Sequence, residues 1–206
     1  MKSRVFLLLI LTLLSVRIFS SPKNDYYFQW GFGLGLPYTT VLMDGLKGEP
    51  PLYPPVNLHI YGYKTLSLNC MLGIGLEYSD QAFSKKQITK DPSEIQDETG
   101  LDFIRFMIQF HYAFNEIGQG LFMNVAVGNG DMDLYKGDID KASGLRLVKE
   151  ENTLFLKGGI GYAFEREKTP PGEHWFFVIG IELNYAHGLS TNWKVLFSNF
   201  YISWFY

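Results

Sequence analysis

From Trp175 to Ala186 the sequence alternates without a break. Trp175, Phe177, Ile179, Ile181, Leu183 and Tyr185 fall on one face, and Phe176, Val178, Gly180, Glu182, Asn184 and Ala186 on the other. A period of two is the signature of a strand whose two faces meet unlike surroundings. Phe103 to Phe114 repeats it: Ile104, Phe106, Ile108, Phe110, Tyr112 and Phe114 oppose Phe103, Arg105, Met107, Gln109, His111 and Ala113. Beyond the first twenty residues no segment carries a sustained helical stripe, and none is long and apolar enough to cross a bilayer as a helix.

The same reading gives eight strands, over 26–37, 56–63, 67–79, 102–114, 120–129, 153–165, 174–186 and 194–206. Most are about twice the usual length of a soluble strand and suit a tilted membrane crossing. Their links alternate. Those around 38–55, 80–101 and 130–152 are long and polar, with "DGLKGEPPLYPP", "KKQITKDPSEIQDETG" and "GDMDLYKGDIDKASG". Those around Tyr63–Leu66, Asn115–Gln119 and Arg166–Glu173 are short, and so is the last, near His187–Trp193. Long outer loops and tight inner turns mark an all-β, eight-stranded, antiparallel up-and-down transmembrane barrel.

Composition decides which face points where. In a soluble barrel the apolar face would line the interior; in a small membrane barrel it meets lipid. Here one face is apolar and rich in aromatics, with no charge in its middle. The other mixes amides, charges and glycines such as Gly31, Gly33, Gly73, Gly75, Gly159 and Gly161. A face turned to water would carry more Lys, Glu and Asp, so these glycines read as room inside a narrow tube. The aromatic share of 17% rules out a disordered chain. A formal charge of −3 with no basic run argues against nucleic acid as a partner. Cys70 is the only cysteine, so no intrachain disulfide is expected.

Residues 1–20, "MKSRVFLLLILTLLSVRIFS", have Lys2 and Arg4 ahead of an apolar run from Val5 to Leu14, the layout of a cleaved signal peptide. The barrel is then expected over 21–206. Removing Lys2, Arg4 and Arg17 would bring the charge to about −6. One rim of the strands collects Tyr26, Phe28, Tyr112, Phe114, Tyr162, Phe164, Trp175, Trp204 and Tyr206, the girdle expected at lipid head-group level. In "NFYISWFY", Phe200, Ile202, Trp204 and Tyr206 are expected to face lipid, and Asn199, Tyr201, Ser203 and Phe205 the interior.

On this layout, and on the terminal "FYISWFY", the chain resembles the eight-stranded outer-membrane barrels of the OmpA/OmpX/OmpW kind. The resemblance implies residence in the outer membrane of a diderm bacterium, in contact with lipid and lipopolysaccharide. It also implies that the terminal aromatics are read by the barrel-assembly machinery during insertion.

Four charges fall on interior positions: Glu77, Arg105, Lys157 and Glu182. Setting Glu77 opposite Arg105 brings Gly75 opposite Met107 and Met71 opposite His111. Setting Lys157 opposite Glu182 brings Ala163 opposite Phe176. Buried charge is costly unless paired, so salt bridges plugging the lumen are expected; the competing reading of the four is an ion path. His59 and His111 also point inward, beside Asn57 and Gln109, with no catalytic constellation around either. "AHGLSTNW" loosely resembles the His-x-Ser-Asn stretch of lipid A deacylases through His187, Ser190 and Asn192, but the spacing is long and no acid follows Ser190. Asp131, Asp133, Asp138 and Asp140 fall in one long link, read as a solvated acidic loop with at most a faint likeness to a calcium loop. No metal site and no cofactor are expected. The expected work is a structural or surface-interaction role in which the long loops meet a ligand or host molecule. The alternatives are a narrow passive pore and a lipid-modifying enzyme.

Overall fold

A computed structural model describes residues 26–35, 40–42, 55–85, 97–138, 146–165 and 175–206. The expected leader, Asp140 and the link Arg166–Glu173 lie outside the described residues. The strands are β1 (Tyr26–Gly35), β2 (Thr40–Leu42), β3 (Val56–Thr65), β4 (Cys70–Lys85), β5 (Asp97–Ala113), β6 (Gly120–Asp138), β7 (Arg146–Glu165), β8 (Phe176–Gly188) and β9 (Lys194–Phe205). Each pairs antiparallel with its neighbour, and β1 closes on β9. The short β2 pairs Thr40, Val41 and Leu42 with Leu196, Val195 and Lys194, so it extends the β1 side of the closing seam. Eight staves therefore make one closed, all-antiparallel barrel.

The stagger follows from the pairing. From Gly31 one route runs through His59, Glu77, Arg105, Gly130 and Thr153 to Gly188 on β8. The other runs through Ser203 to Val178 on the same strand. The two ends differ by ten residues, which is the shear of the barrel. Eight strands with such a shear tilt by roughly 40° and enclose a space that side chains fill.

Faces alternate as the period of two requires. Trp30, Leu58, Ile74, Phe106, Ile108, Val125, Leu156, Ile181 and Phe200 are exposed on the outside. Tyr61, Met71, Phe103, Met107, Phe122, Phe155, Phe197, Tyr201 and Phe205 are buried within. From Ile104 to Phe114 the outward side of β5 is wholly apolar or aromatic. That run rises about 25 Å once tilted, which matches the apolar band of an outer-membrane barrel. Among the described residues no helix is long and apolar enough to cross a membrane.

The three long links change. Links 80–101 and 130–152 contain paired strand: β4 and β5 stay in register up to Lys85 and Asp97, and β6 and β7 stay paired up to Lys136 and Arg146, with a register shift between Leu134 and Tyr135. Asp131 and Asp133 therefore sit on β6, on a ribbon rising above the band, and Asp138 ends that strand. Pairing continues above the hydrocarbon because backbone groups still seek partners, and Met132 and Leu134 keep the inward face of β6 apolar while Asp131 and Asp133 lie on the other face. The link 38–55 likewise holds β2. At the opposite end, the turn from β5 to β6 needs glycine at Gly118 and Gly120, whose φ values are 91° and 72°.

Candidate functional site

The charged interior residues meet at mid-barrel. Glu77 and Arg105 face each other across β4 and β5, as do Gly75 with Met107 and Met71 with His111. Arg105 Nε donates to Glu77 Oε2 at 2.7 Å, and its Nη2 lies 2.6 Å from the same oxygen. Lys157 Nζ reaches across the lumen from β7 to Glu77 Oε1, which also accepts the Tyr61 hydroxyl. Tyr61 fits there because the ring lies against Gly75, where a Cβ would sit 2.4 Å from it. These charged side chains are at most 1% exposed.

Lys157 does not face Glu182. Its direct partner on β8 is Asn184, Glu182 faces Gly159, and Ala163 faces Val178 rather than Phe176, two residues from the expected register. A slip of two keeps every side chain on its own face, so the charges still meet, diagonally: Lys157 Nζ is 3.3 Å from Glu182 Oε1. The ammonium thus bridges two carboxylates, and two positive and two negative charges form one buried cluster. Pairing of this kind offsets desolvation, which otherwise costs several kcal/mol per ion.

Aromatic layers close the cluster above and below. Phe103, Phe155 and Phe197 pack at 5.7–5.8 Å, and the Arg105 guanidinium lies 5.2 and 5.5 Å from the Phe155 and Phe197 rings. On the other side Tyr63, His111, Phe122, Phe176 and Phe205 form a second layer, with His111 stacked on Phe122 at 4.4 Å and Phe176 on Phe205 at 4.5 Å. His59 Nε2 accepts from Gln29 Nε2 at 3.4 Å and lies 2.6 Å from Ser203 Oγ, and Gln29 Oε1 receives the Tyr63 hydroxyl at 2.7 Å.

The rim aromatics form contacts on the outer surface. Trp175 stacks on Tyr206 at 6.4 Å, Tyr112 meets Phe114 at 5.5 Å and Tyr162 meets Phe164 at 4.8 Å. Trp204 stacks on Trp30 at 4.6 Å across the closing seam. Tyr26 lies at the start of β1, on the same rim.

His187 and Ser190 do not form a relay. Ser190 Oγ donates to the Glu151 carboxylate at 2.7 and 2.9 Å, and the backbone N–H groups of Ser190 and Thr191 donate to Glu151 Oε1 at 2.6 and 3.1 Å. His187 lies on the outward face, its Nδ1 buried with no partner among the described residues. Glu151 is the acid that reading β7 from residue 153 missed; it continues the inward series Thr153, Phe155 and Lys157. Burial pushes its carboxyl up, but the hydrogen bonds from Ser190 and Thr191 outweigh this and hold it below the usual glutamate value. Glu151 is a clasp on the β8–β9 link. Asn192 is exposed on that link.

Above the band the outward face is acidic. Asp80 pairs with Asp102, Asp102 with Asp133, and Asp133 with Glu150, so four carboxylates stand in one row across four strands. Like charges directly opposite repel. Partial burial, then Asp80 and Asp133, raises the Asp102 carboxyl to about 6, against a smaller opposing pull from the Tyr78 hydroxyl. Among the described residues no group of three or more ligating side chains is placed to hold a metal.

No protein-family model matches the sequence, and no curated protein does. Solved structures do. The attachment invasion locus protein Ail of Yersinia pestis, in complex with the heparin analogue sucrose octasulfate, superposes with a TM-score of 0.53 at 10% identity, covering 88% of this chain and 99% of Ail. Neisserial surface protein A is similar at a TM-score of 0.48, 13% identity and coverage of 87% and 96%. The N-terminal barrel domain of Pseudomonas aeruginosa OprF gives 0.45, 12%, 88% and 98%. The outward band, the polar packed interior and the fold shared with Ail have one reading: the chain is a small eight-stranded β-barrel of the outer-membrane type.

Proposed function

We propose that this barrel resides in the outer membrane of a diderm bacterium as a closed, surface-displayed protein whose external ribbons and loops engage a ligand or neighbouring molecule. The observation that carries the reading is the buried Glu77–Arg105–Lys157–Glu182 cluster between two aromatic layers, which occupies the cross-section an open channel would need. The girdle of Tyr26, Tyr112, Tyr162, Trp175, Trp204 and Tyr206 seats the barrel at the inner head-group level, and the leader delivers it. Lipid and lipopolysaccharide surround it, and the assembly machinery inserts it.

Ail is described with a sulfated, polyanionic ligand. Among the described residues the external strand ends carry Asp80, Asp97, Glu98, Asp102, Asp131, Asp133, Asp138, Glu150 and Glu151 against Lys85, Lys136, Arg146, Lys149 and Lys194. That balance favours cationic over polyanionic partners. Orientation is tested on intact cells in a Cys70→Ser background: Asn192→Cys reacts with a membrane-impermeant maleimide, and Leu68→Cys reacts only after permeabilisation. The reverse pattern would turn the barrel over.

The pore reading predicts discrete conductance steps from purified protein in planar bilayers, where the closed reading predicts none. The enzyme reading, a lipid A deacylase, requires ester hydrolysis of lipopolysaccharide that Ser190→Ala abolishes; with the Ser190 hydroxyl bonded to Glu151 and not to His187, the surface-protein reading predicts no hydrolysis from either form.

A further inference from the structure

The external mouth of the barrel carries an arrangement that neither the charge plug nor the girdle uses. β8 and β9 are joined by a tight link, in which the Gly188 N–H donates to Trp193 O at 2.9 Å. At its outer end β7 runs on past that link. Its last direct pairing with β8 sets Thr153 against Gly188, and Asn152 O still takes the Leu189 N–H at 2.8 Å. Beyond Asn152, side chains of β7 take over from backbone pairing.

Two of them do so from successive inward positions. Glu151 faces Met132 and Lys149 faces Leu134, both buried inward residues of β6, which are apolar and offer neither charge a rival partner. Glu151 holds the link through Ser190 and Thr191, at 2.6–3.1 Å. Lys149 holds it a second time, with Nζ 4.4 Å from the centroid of the Trp193 ring. The same ammonium favours the ionised form of the Glu151 carboxylate. Trp193 continues the inward series of Val195 and Phe197, and packs against the apolar core of the lumen. The fit needs glycine at 188, where a Cβ would lie 2.7 Å from Thr191 Oγ1 and 3.0 Å from Glu151 Cγ and Oε1.

We propose that the β8–β9 link is a strap across the external mouth with Trp193 as its stopper, and that Glu151 and Lys149 form one latch upon it. The link is too short to lift at one end alone, so any group that takes either the carboxylate or the ammonium releases both contacts. Segments held by a few side-chain contacts open locally while the strands beneath them stay folded. The strap lies outside the layer of Phe103, Phe155 and Phe197, so it governs access to the outer lumen independently of the charge cluster below.

The test uses the refolded full barrel in micelles with fluorotryptophan in place of tryptophan, the Trp193 resonance being assigned by its loss in Trp193→Phe. Each contact is removed and the other one is read. Glu151→Gln, whose bonds go to Ser190 and Thr191, is expected to raise the relaxation of the Trp193 resonance by a soluble gadolinium chelate about twofold or more. Lys149→Met, which removes no hydrogen bond from the link, is expected to speed amide exchange at Ser190 and Thr191 about threefold or more. Lys149→Arg keeps a cation on the ring and leaves both readings at the parent value. Amides of Phe155 and Phe197 stay protected in every variant. Trp193 still shielded in Glu151→Gln, or exchange unchanged in Lys149→Met, makes the two contacts independent and overturns the latch. Planar-bilayer conductance stays absent throughout, so a failed strap and a failed plug are read on different measurements.

Discussion

Glu77 Oε2 receives both Nε and Nη2 of Arg105, at 2.7 and 2.6 Å, while Oε1 of the same carboxylate takes Lys157 and Tyr61. One side chain from β4 thus ties together β3, β5 and β7. Its removal exposes the cost that pairing conceals.

Glu77→Ala leaves two cations buried around a missing anion. A loss of about 3–5 kcal/mol in unfolding free energy is expected, the range for breaking one side of a buried ion pair. Urea unfolding in micelles reads it. The double variant Glu77→Leu with Arg105→Met should recover part of the loss, because it removes a charge of each sign.

The outward band has a depth profile. Ile108→Arg, near its middle on β5, should cost about 2–4 kcal/mol, whereas Asp131→Arg, above the band on β6, should cost at most about 1 kcal/mol. Equal costs at the two positions would remove the hydrocarbon from around Ile108.

The carboxylate row makes stability fall as pH rises. The folded state holds the Asp102 proton more tightly than the unfolded chain does, so the stabilisation is complete below the ordinary aspartate value and is lost as pH passes about 6. Asp80 and Tyr78 on β4, and Asp131, Asp133 and Tyr135 on β6, are the titratable neighbours. Asp102→Asn should flatten the curve between pH 4 and 7, and an NMR titration of the Asp102 carboxyl should centre near 6.

Glu151 has the opposite sign. Its carboxyl is held below the glutamate value by Ser190 and Thr191, so the contribution is present above the ordinary carboxylate range and is lost as pH falls through the depressed value. Glu151→Gln removes the charged acceptor. Faster amide exchange at Ser190 and Thr191 is expected at neutral pH, with the barrel strands unchanged.

Alternation made β9 and most of β8 legible, since one buried and one lipid face impose period two, but the segment read as 174–186 stops two residues short of the end of β8 at Gly188. Alternation was overridden where Gly, Asp and Lys become frequent. Asp131 and Asp133 read as loop for that reason, although Met132 and Leu134 continue the inward apolar series between them, and Glu151 was missed because its strand was started at residue 153. The acid row was equally hidden, because Asp80, Asp102, Asp133 and Glu150 are far apart in the chain and meet only through pairing.

The order of residues determined which side chains point in and which point out, and so the class of barrel and its four interior charges. It did not determine their partners. Sliding β8 past β7 by two residues preserves both faces, so hydrophobic pattern cannot choose between Glu182 and Asn184 as the residue opposite Lys157. Only closure of all eight strands with a stagger of ten fixes that choice, and only the narrow interior then carries the Lys157 ammonium across to Glu77.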